Sequence, residues 1–207
     1  MINPRGMLIV VSGPSGVGKD TVVGEYLKRA PDCVLSVSAT TRPMREGETE
    51  GKDYFFVSRE EFQTRIDRGD MLEYADYSGN LYGTPREAVD AQLAAGKNVI
   101  LVIEVQGARQ VKGLRPDCVS VFLLPPTIEE LRSRLACRGN DSPESIEARL
   151  GVALIEIEQA ESYDFVLCNC ELQECVERLA TAIEAAKYFP RHLHNLMSAK
   201  RKDCESL

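Results

Sequence analysis

The sequence predicts an α/β fold in three layers, a parallel sheet covered on both faces by helices. Three observations predict it. Apolar runs of strand length alternate with longer helical patterns along most of the chain, a glycine-rich loop joins the first run to the first helix, and one stretch, residues 39–84, breaks the alternation.

The apolar runs are "MLIVV" (Met7–Val11), "NVILVI" (Asn98–Ile103), "CVSVFLL" (Cys118–Leu124) and "DFVLC" (Asp164–Cys168), with "CVLSVS" (Cys33–Ser38) a fifth. Runs without polar alternation are what strands buried on both faces require. Helical periods fill the gaps at Thr21–Arg29, Pro85–Ala95, Ile128–Cys137, Ser145–Glu161 and Leu172–Lys187. In the interrupted stretch, "DYFFVS" precedes a helical "REEFQTRIDRG". Then "EYADYSGNLYG", with a turn at Ser78-Gly79-Asn80, predicts a hairpin, so a small mixed-sheet unit is inserted into the core. Ser142, Pro143 and Glu144 form a helix start: a capping hydroxyl, a proline in the first turn and an acid at the positive end. From Pro190 the chain reads as a loosely held tail.

A chain of 207 residues with 43% apolar and 28% charged residues suits one soluble core. The net charge of −7 gives no global field for nucleic acid or an anionic membrane, so neither is an expected partner. A polyanionic ligand must therefore meet local Arg and Lys clusters. Seven scattered Cys with no C-x-x-C pair, beside only two His, make poor zinc-ligand arithmetic and fit thiols in a reducing cytosol. The five apolar residues before Ser12 are too few for a signal sequence or a membrane span. In the final "CESL", Ser206 stands where a prenylation box has an aliphatic residue. The expected location is cytoplasmic.

"SGPSGVGKDT" nearly spells the phosphate-binding loop G-x-x-x-x-G-K-[ST], between a buried strand and a helix. Gly13, Pro14, Ser15, Gly16, Val17 and Gly18 would wrap backbone N–H groups around phosphates, and the helix adds its positive end. Lys19 supplies the ammonium for the β- and γ-phosphates. The departure is Asp20, where a hydroxyl usually meets Mg²⁺. A carboxylate is also a hard oxygen donor for Mg²⁺, whereas without metal its charge repels the phosphates. Thr21 does not replace the missing hydroxyl, because one helical residue turns it about 100° around the axis. Asp20 is thus the candidate metal ligand.

"SVSATTRPMREGETEGKDY" offers a second phosphate site. Arg42 and Arg45 lie in a segment that Pro43 keeps extended, with hydroxyls at Ser38, Thr40 and Thr41 and the phenol of Tyr54.

Four motifs, "SGPSGVGKDT", "SVSATTRPMREGETEGKDYFFVS", "EYADYSGNLYGT" and "RGNDSPESIEARL", come in the order and spacing of guanylate kinases, and the chain resembles that family from Met7 to Tyr188. The resemblance implies a P-loop kinase fold with a core (1–37, 85–136 and 163–188), a GMP-binding subdomain (38–84), a helical lid (137–162) and a tail (189–207). It implies transfer of the γ-phosphate of ATP to GMP, with Mg²⁺ as cofactor. Arg42, Arg45, Tyr54 and Tyr82 match positions that hold the GMP phosphate. Glu73 matches the guanine-reading acid, and Ser38 and Thr84 match hydroxyls near the base. Arg134, Arg138 and Arg149 match residues that reach the transferring phosphates, and Asn169 matches an adenine-side contact. Lys19, Arg42, Arg138 and Arg149 are the catalytic set on this reading. Where the family has two acids at the strand end "VILVIEVQG", this chain has Val102 and only Glu104, a candidate for the guanine amino group or the metal shell. Two other readings are a ribose bisphosphate kinase, which needs no base reader, and a non-catalytic phosphopeptide-binding module, which typically lacks the loop lysine and lid arginines. Tolerance of dGMP and the choice between monomer and homodimer stay open.

Overall fold

The computed structural model describes residues 6–77, 79–137 and 142–193. Five parallel strands form the main sheet: β1 (Leu8–Ser12), β2 (Cys33–Leu35), β7 (Asn98–Val102), β8 (Val119–Leu124) and β9 (Phe165–Cys168), in the order β2-β7-β1-β8-β9. Around it lie α1 (Lys19–Leu27), α3 (Arg86–Ala94), α4 (Val105–Leu114), α5 (Ile128–Ala136), α6 (Pro143–Glu158) and α7 (Leu172–Ala186). The alternation of β1 explains its apolar run. Ile9 and Val11 join one core with Val22 and Val23 of α1 and Val176, Leu179 and Ile183 of α7. Leu8 and Val10 join another with Val89 and Leu93 of α3 and Ala108 and Val111 of α4. Each of these Val, Leu and Ile side chains, fully buried, contributes roughly 1.5–3 kcal/mol.

A second, mixed sheet holds β3 (Ser38–Thr40), β4 (Tyr54–Phe56), β5 (Met71–Tyr77) and β6 (Asn80–Pro85), in the order β4-β3-β6-β5. The α2 helix (Arg59–Asp67) buries Phe62 against Ala39, Met71 and Leu81 beneath it. Ser58 caps α2, Thr127 caps α5 and Ser142 caps α6, each side chain accepting a backbone N–H three residues on, as the sequence of the last predicts.

Four expectations need correction. The predicted strand 33–38 divides: Cys33–Leu35 pairs in the main sheet and Ser38–Thr40 in the second, so the chain crosses between sheets at Ser36 and Val37. The α4 helix is absent from the sequence reading, because Gly107 and Gly113 blur its period. Tertiary burial of Val105, Ala108 and Val111 forms it nonetheless. The α6 period stops at Glu158, and residues 159–162 tighten into a 3₁₀ turn. The start of the predicted tail is docked: Phe189 stacks on Phe165 at 5.6 Å, Arg191 pairs with Asp164 at 2.8 Å, and buried His192 lies 2.8 Å from the Asp117 carbonyl oxygen. Residues 194–207 lie outside the described residues. Among the described residues no helix is long and apolar enough to cross a membrane.

Candidate active site

The glycine-rich loop closes as its sequence requires. Gly13, Gly16 and Gly18 all have positive φ, and the Val17 N–H donates to the Pro14 carbonyl at 3.2 Å. Gly18, at φ 95°, caps α1, which begins at Lys19, two residues earlier than its period suggests. A Cβ at Gly18 would lie 2.7 Å from Asn169 Nδ2, so glycine is needed there for close approach as well as conformation. Asn169, buried just past β9, donates from that nitrogen to the Val17 carbonyl at 2.8 Å.

Two arginines from the helices facing the loop reach it. Arg134 donates to the carbonyls of Val17 (3.3 Å) and Asn169 (3.2 Å) and to Glu130 at 3.0 Å. Arg149 donates to Ser15 Oγ at 2.7 Å. Lys19, also buried, donates from Nζ to the carbonyls of Gly13 (2.7 Å) and Pro14 (3.3 Å) and meets Glu104 Oε1 at 3.4 Å. Asp20 and Thr21 are exposed in the first turn of α1. Arg138 lies outside the described residues.

The second sheet gathers the other predicted residues by its register. Ser38 stands opposite Tyr54, Thr40 opposite Tyr82, and Glu73 opposite Thr84. Thr84 donates its hydroxyl to Glu73 Oε1 at 2.6 Å, and both residues are buried. Burial pushes the Glu73 carboxyl above the usual carboxylate range, against the Thr84 bonds that pull it down. A Cβ on Gly107 would fall 2.8 Å from Glu73 Oε2, so a side chain there would displace the carboxylate from its present position against the first turn of α4. Gln110, one turn further, donates to the Tyr74 carbonyl at 3.0 Å and accepts from its N–H at 3.2 Å, which fixes the strand beside Glu73.

Arg42 is held more tightly than its sequence context suggests. Its guanidinium pairs with both oxygens of Glu48 at 2.7 and 2.9 Å, 5.2 Å from the centre of the Tyr54 ring, and Tyr82 packs edge-on to Tyr54 at 6.1 Å. Hydrogen bonds from Arg42 and from the Arg45 N–H bring the Glu48 carboxyl down to about 2. Sequence reasoning missed Glu48, although an acid six residues after one arginine and three after another is a readable signal. Arg45 itself is exposed. The hydroxyls of Thr40 and Thr41 accept backbone N–H groups of Arg42 and Leu81, which orients them and leaves each O–H as a donor.

Glu156 is the second residue that was missed. It lies seven residues after Arg149 on α6, hence on nearly the same face. Its half-buried carboxyl is pushed up to about 7 by burial and by Glu104, with Lys19 opposing. The folded protein thus binds this proton more tightly than the unfolded chain does, and stability falls as pH rises from about 4.5 to about 7. Glu156→Gln should be the more stable protein at pH 8, by about 1 kcal/mol after allowing for solvent access, and the gain should vanish at pH 4. Thermal melts at the two pH values check this.

Oxygen donors near the loop are Asp20, Glu104 and the hydroxyl of Thr21. Among the described residues no group of three or more His, Cys, Asp or Glu could cage a metal. Such a donor set fits Mg²⁺, which keeps waters and rides on substrate phosphates with one or two carboxylates. Val102, in place of a first acid, packs against the apolar core instead.

A family model described as guanylate kinase matches residues 5–186. The guanylate kinase of Lactococcus lactis is 49% identical over 201 residues, covering 95% of this chain and 98% of the relative. That of Streptococcus agalactiae is 51% identical over 189 residues, 90% of each. The crystal structure of guanylate kinase from Anaplasma phagocytophilum superposes with a TM-score of 0.74 at 35% identity, covering 96% of each chain.

Proposed function

The chain belongs to the guanylate kinase family and transfers the γ-phosphoryl group of ATP to GMP, giving ADP and GDP; we propose that the residues described above divide that work as follows. The observation that carries the division is the buried Glu73–Thr84 pair, set against α4 while Glu104, at the start of that helix, meets Lys19. Guanine presents two adjacent donors, N1–H and N2–H, which a carboxylate accepts; the Thr84 hydroxyl, whose one proton goes to Glu73 in the absence of substrate, would turn to donate to O6 once guanine occupies the carboxylate. Adenine, with an acceptor at N1, would face Glu73 lone pair to lone pair. A site built on such bonds rejects the wrong base by roughly 10⁴-fold.

The GMP phosphate is held by Arg42, Arg45, Tyr54 and Tyr82, with Glu48 fixing the fork of Arg42, and Ser38 lies beside this group. The second sheet is thus the GMP-binding subdomain. On the donor side, the backbone of residues 13–18 and Lys19 hold the triphosphate, with Arg134 and Asn169 on the loop's flank. Residues 137–162, with α6 as their helix, form the lid, bringing Arg149, and by sequence Arg138, to the group in flight. Phosphoryl transfer demands mainly in-line positioning and neutralised charge, which Lys19 and the arginines supply, and a closed lid keeps water from accepting the phosphate. Mg²⁺, when bound with ATP, would neutralise the β- and γ-oxygens, with Asp20 and Glu104 as the protein oxygens nearest in sequence to that task.

The test is ADP formation with ATP and Mg²⁺ against GMP, AMP, CMP and UMP in turn. Turnover confined to GMP is expected, and comparable turnover with AMP would sink the role given to Glu73. Asp20 makes a further prediction. ATP should bind at least about tenfold more weakly in EDTA than with Mg²⁺, because an uncompensated carboxylate then faces the phosphates. In Asp20→Ser that ratio should shrink and kcat should fall. Calorimetric titration gives the ratio without turnover, and a fully active Asp20→Ser enzyme would remove Asp20 from the metal shell.

A further inference from the structure

We propose that Cys168 and Cys170 form a reversible dithiol oxidation site that controls the ATP side of the phosphate loop. The two residues flank Asn169 where the chain leaves β9 and bends, which turns both sulfurs toward one another while the Asn169 side chain faces the loop. The Sγ atoms of Cys168 and Cys170 lie 2.7 Å apart. Cys170 is exposed, and Cys168 is half-buried with its Sγ 3.7 Å from the Pro125 carbonyl oxygen. On the opposite side Asn169 donates to Val17 of the loop at 2.8 Å, and its carbonyl accepts from Arg134 at 3.2 Å. Three consecutive residues therefore carry a thiol pair outward and a clamp on the phosphate loop inward.

The co-reactant class is a low-molecular-weight disulfide, R–S–S–R. The exposed Cys170, as thiolate, attacks one of its sulfurs; the reagent's S–S bond breaks and R–S⁻ leaves with the electron pair and takes up a proton. Cys168 then gives its proton to solvent and attacks the Cys170 sulfur of the mixed disulfide, releasing the second R–S⁻, which is protonated in turn. The protein loses two electrons and two protons, and the reagent is reduced to two thiols. Burial, and then the neighbouring Cys170 sulfur, push the Cys168 thiol up to about 11, which leaves the first step to the exposed Cys170, and the 2.7 Å approach of the two sulfurs carries the second.

The consequence follows from chain geometry. β9 ends at Cys168 and the chain bends at Cys170, and a disulfide requires its sulfurs at about 2.05 Å, closer than the 2.7 Å that separates them here. Closing the bond shortens the backbone around Asn169 and tilts its peptide. The fit of the Asn169 amide against Gly18 leaves little room for that without losing the bond to Val17. A strained two-residue link is also the readily reduced kind, suited to reversible use.

The full chain is incubated with oxidised glutathione at graded ratios to the reduced form, free thiols are alkylated, and the peptide containing residues 168–170 is weighed. The expected result is an unalkylated peptide two mass units light, a rise in KM for ATP of about tenfold with KM for GMP unchanged, and recovery on adding dithiothreitol. Cys170→Ser should keep the activity of the reduced enzyme and lose the sensitivity. Full alkylation of both cysteines at every ratio would overturn the proposal, as would disulfide formation with KM for ATP unmoved, or an equally sensitive Cys170→Ser enzyme. The mass readout is independent of the kinase assignments, and only the KM arm rests on them.

Discussion

Replacing Glu73 by glutamine is expected to lower kcat/KM for GMP by about 10³-fold and, in the same protein without substrate, to raise the Tm at pH 8. The two effects share one cause. Glu73 is 7% exposed, and among the described residues its side-chain partner is the hydroxyl of Thr84, with no lysine or arginine to offset its charge. Burial raises its pKa, so the folded protein holds the proton more tightly than the unfolded chain does. Stability therefore declines as pH rises from the unfolded carboxyl value near 4.3 through the folded one, so the cost is greater at pH 8 than at pH 4. Glutamine removes that cost while its carbonyl can still accept from Thr84. It cannot accept from both N1–H and N2–H of guanine, because one of its two polar atoms is a donor. Steady-state kinetics with GMP and AMP, together with melts at pH 4 and pH 8, check both halves. An unchanged Tm at pH 8, or intact selectivity for GMP, would contradict the account.

How much of this was legible in the sequence depends on whether a signal was local. The loop from Gly13 to Lys19 is written in glycines that need positive φ, and β1 before it in residues buried on two sides, so both could be read directly. The hairpin itself was legible from its turn, but a turn read over Ser78-Gly79-Asn80 sets Glu73 opposite Pro85, and only the pairing of Asn80 with Tyr77 brings Glu73 opposite Thr84. Glu48 and Glu156 were harder because their meaning is spatial. Glu48 matters because the chain curls to bring it to both nitrogens of Arg42. Glu156 matters because α6 passes beside Glu104 and Lys19. The α4 helix was lost for the same reason: two glycines spoil its local pattern, and one of them, Gly107, is there to admit the Glu73 carboxylate. Local rules fail at this point because the site uses the residue for something other than the helix.

The other large effect is expected at Arg149. Arg149→Met should reduce kcat by about 10³-fold while KM for GMP changes by no more than about threefold. Methionine keeps the length and apolar stem of the side chain. The α6 helix is anchored independently, by Leu150 and Ala153 packing against Leu131 and Leu135 of α5, so folding should not depend on the guanidinium. What is lost is a fixed positive charge at the mouth of the loop, placed there by the bond to Ser15. Charge on the transferring group peaks in the transition state, so an interaction aimed at it appears in kcat rather than in ground-state binding. GMP is gripped from the other sheet, through Arg42 and Glu73, and should not register the change. Measured kcat and both KM values separate the possibilities. If kcat held and only KM for ATP rose, Arg149 would be acting through Ser15 as a brace on the loop, and stabilisation of the transferring charge would fall to Lys19 and the remaining lid arginines.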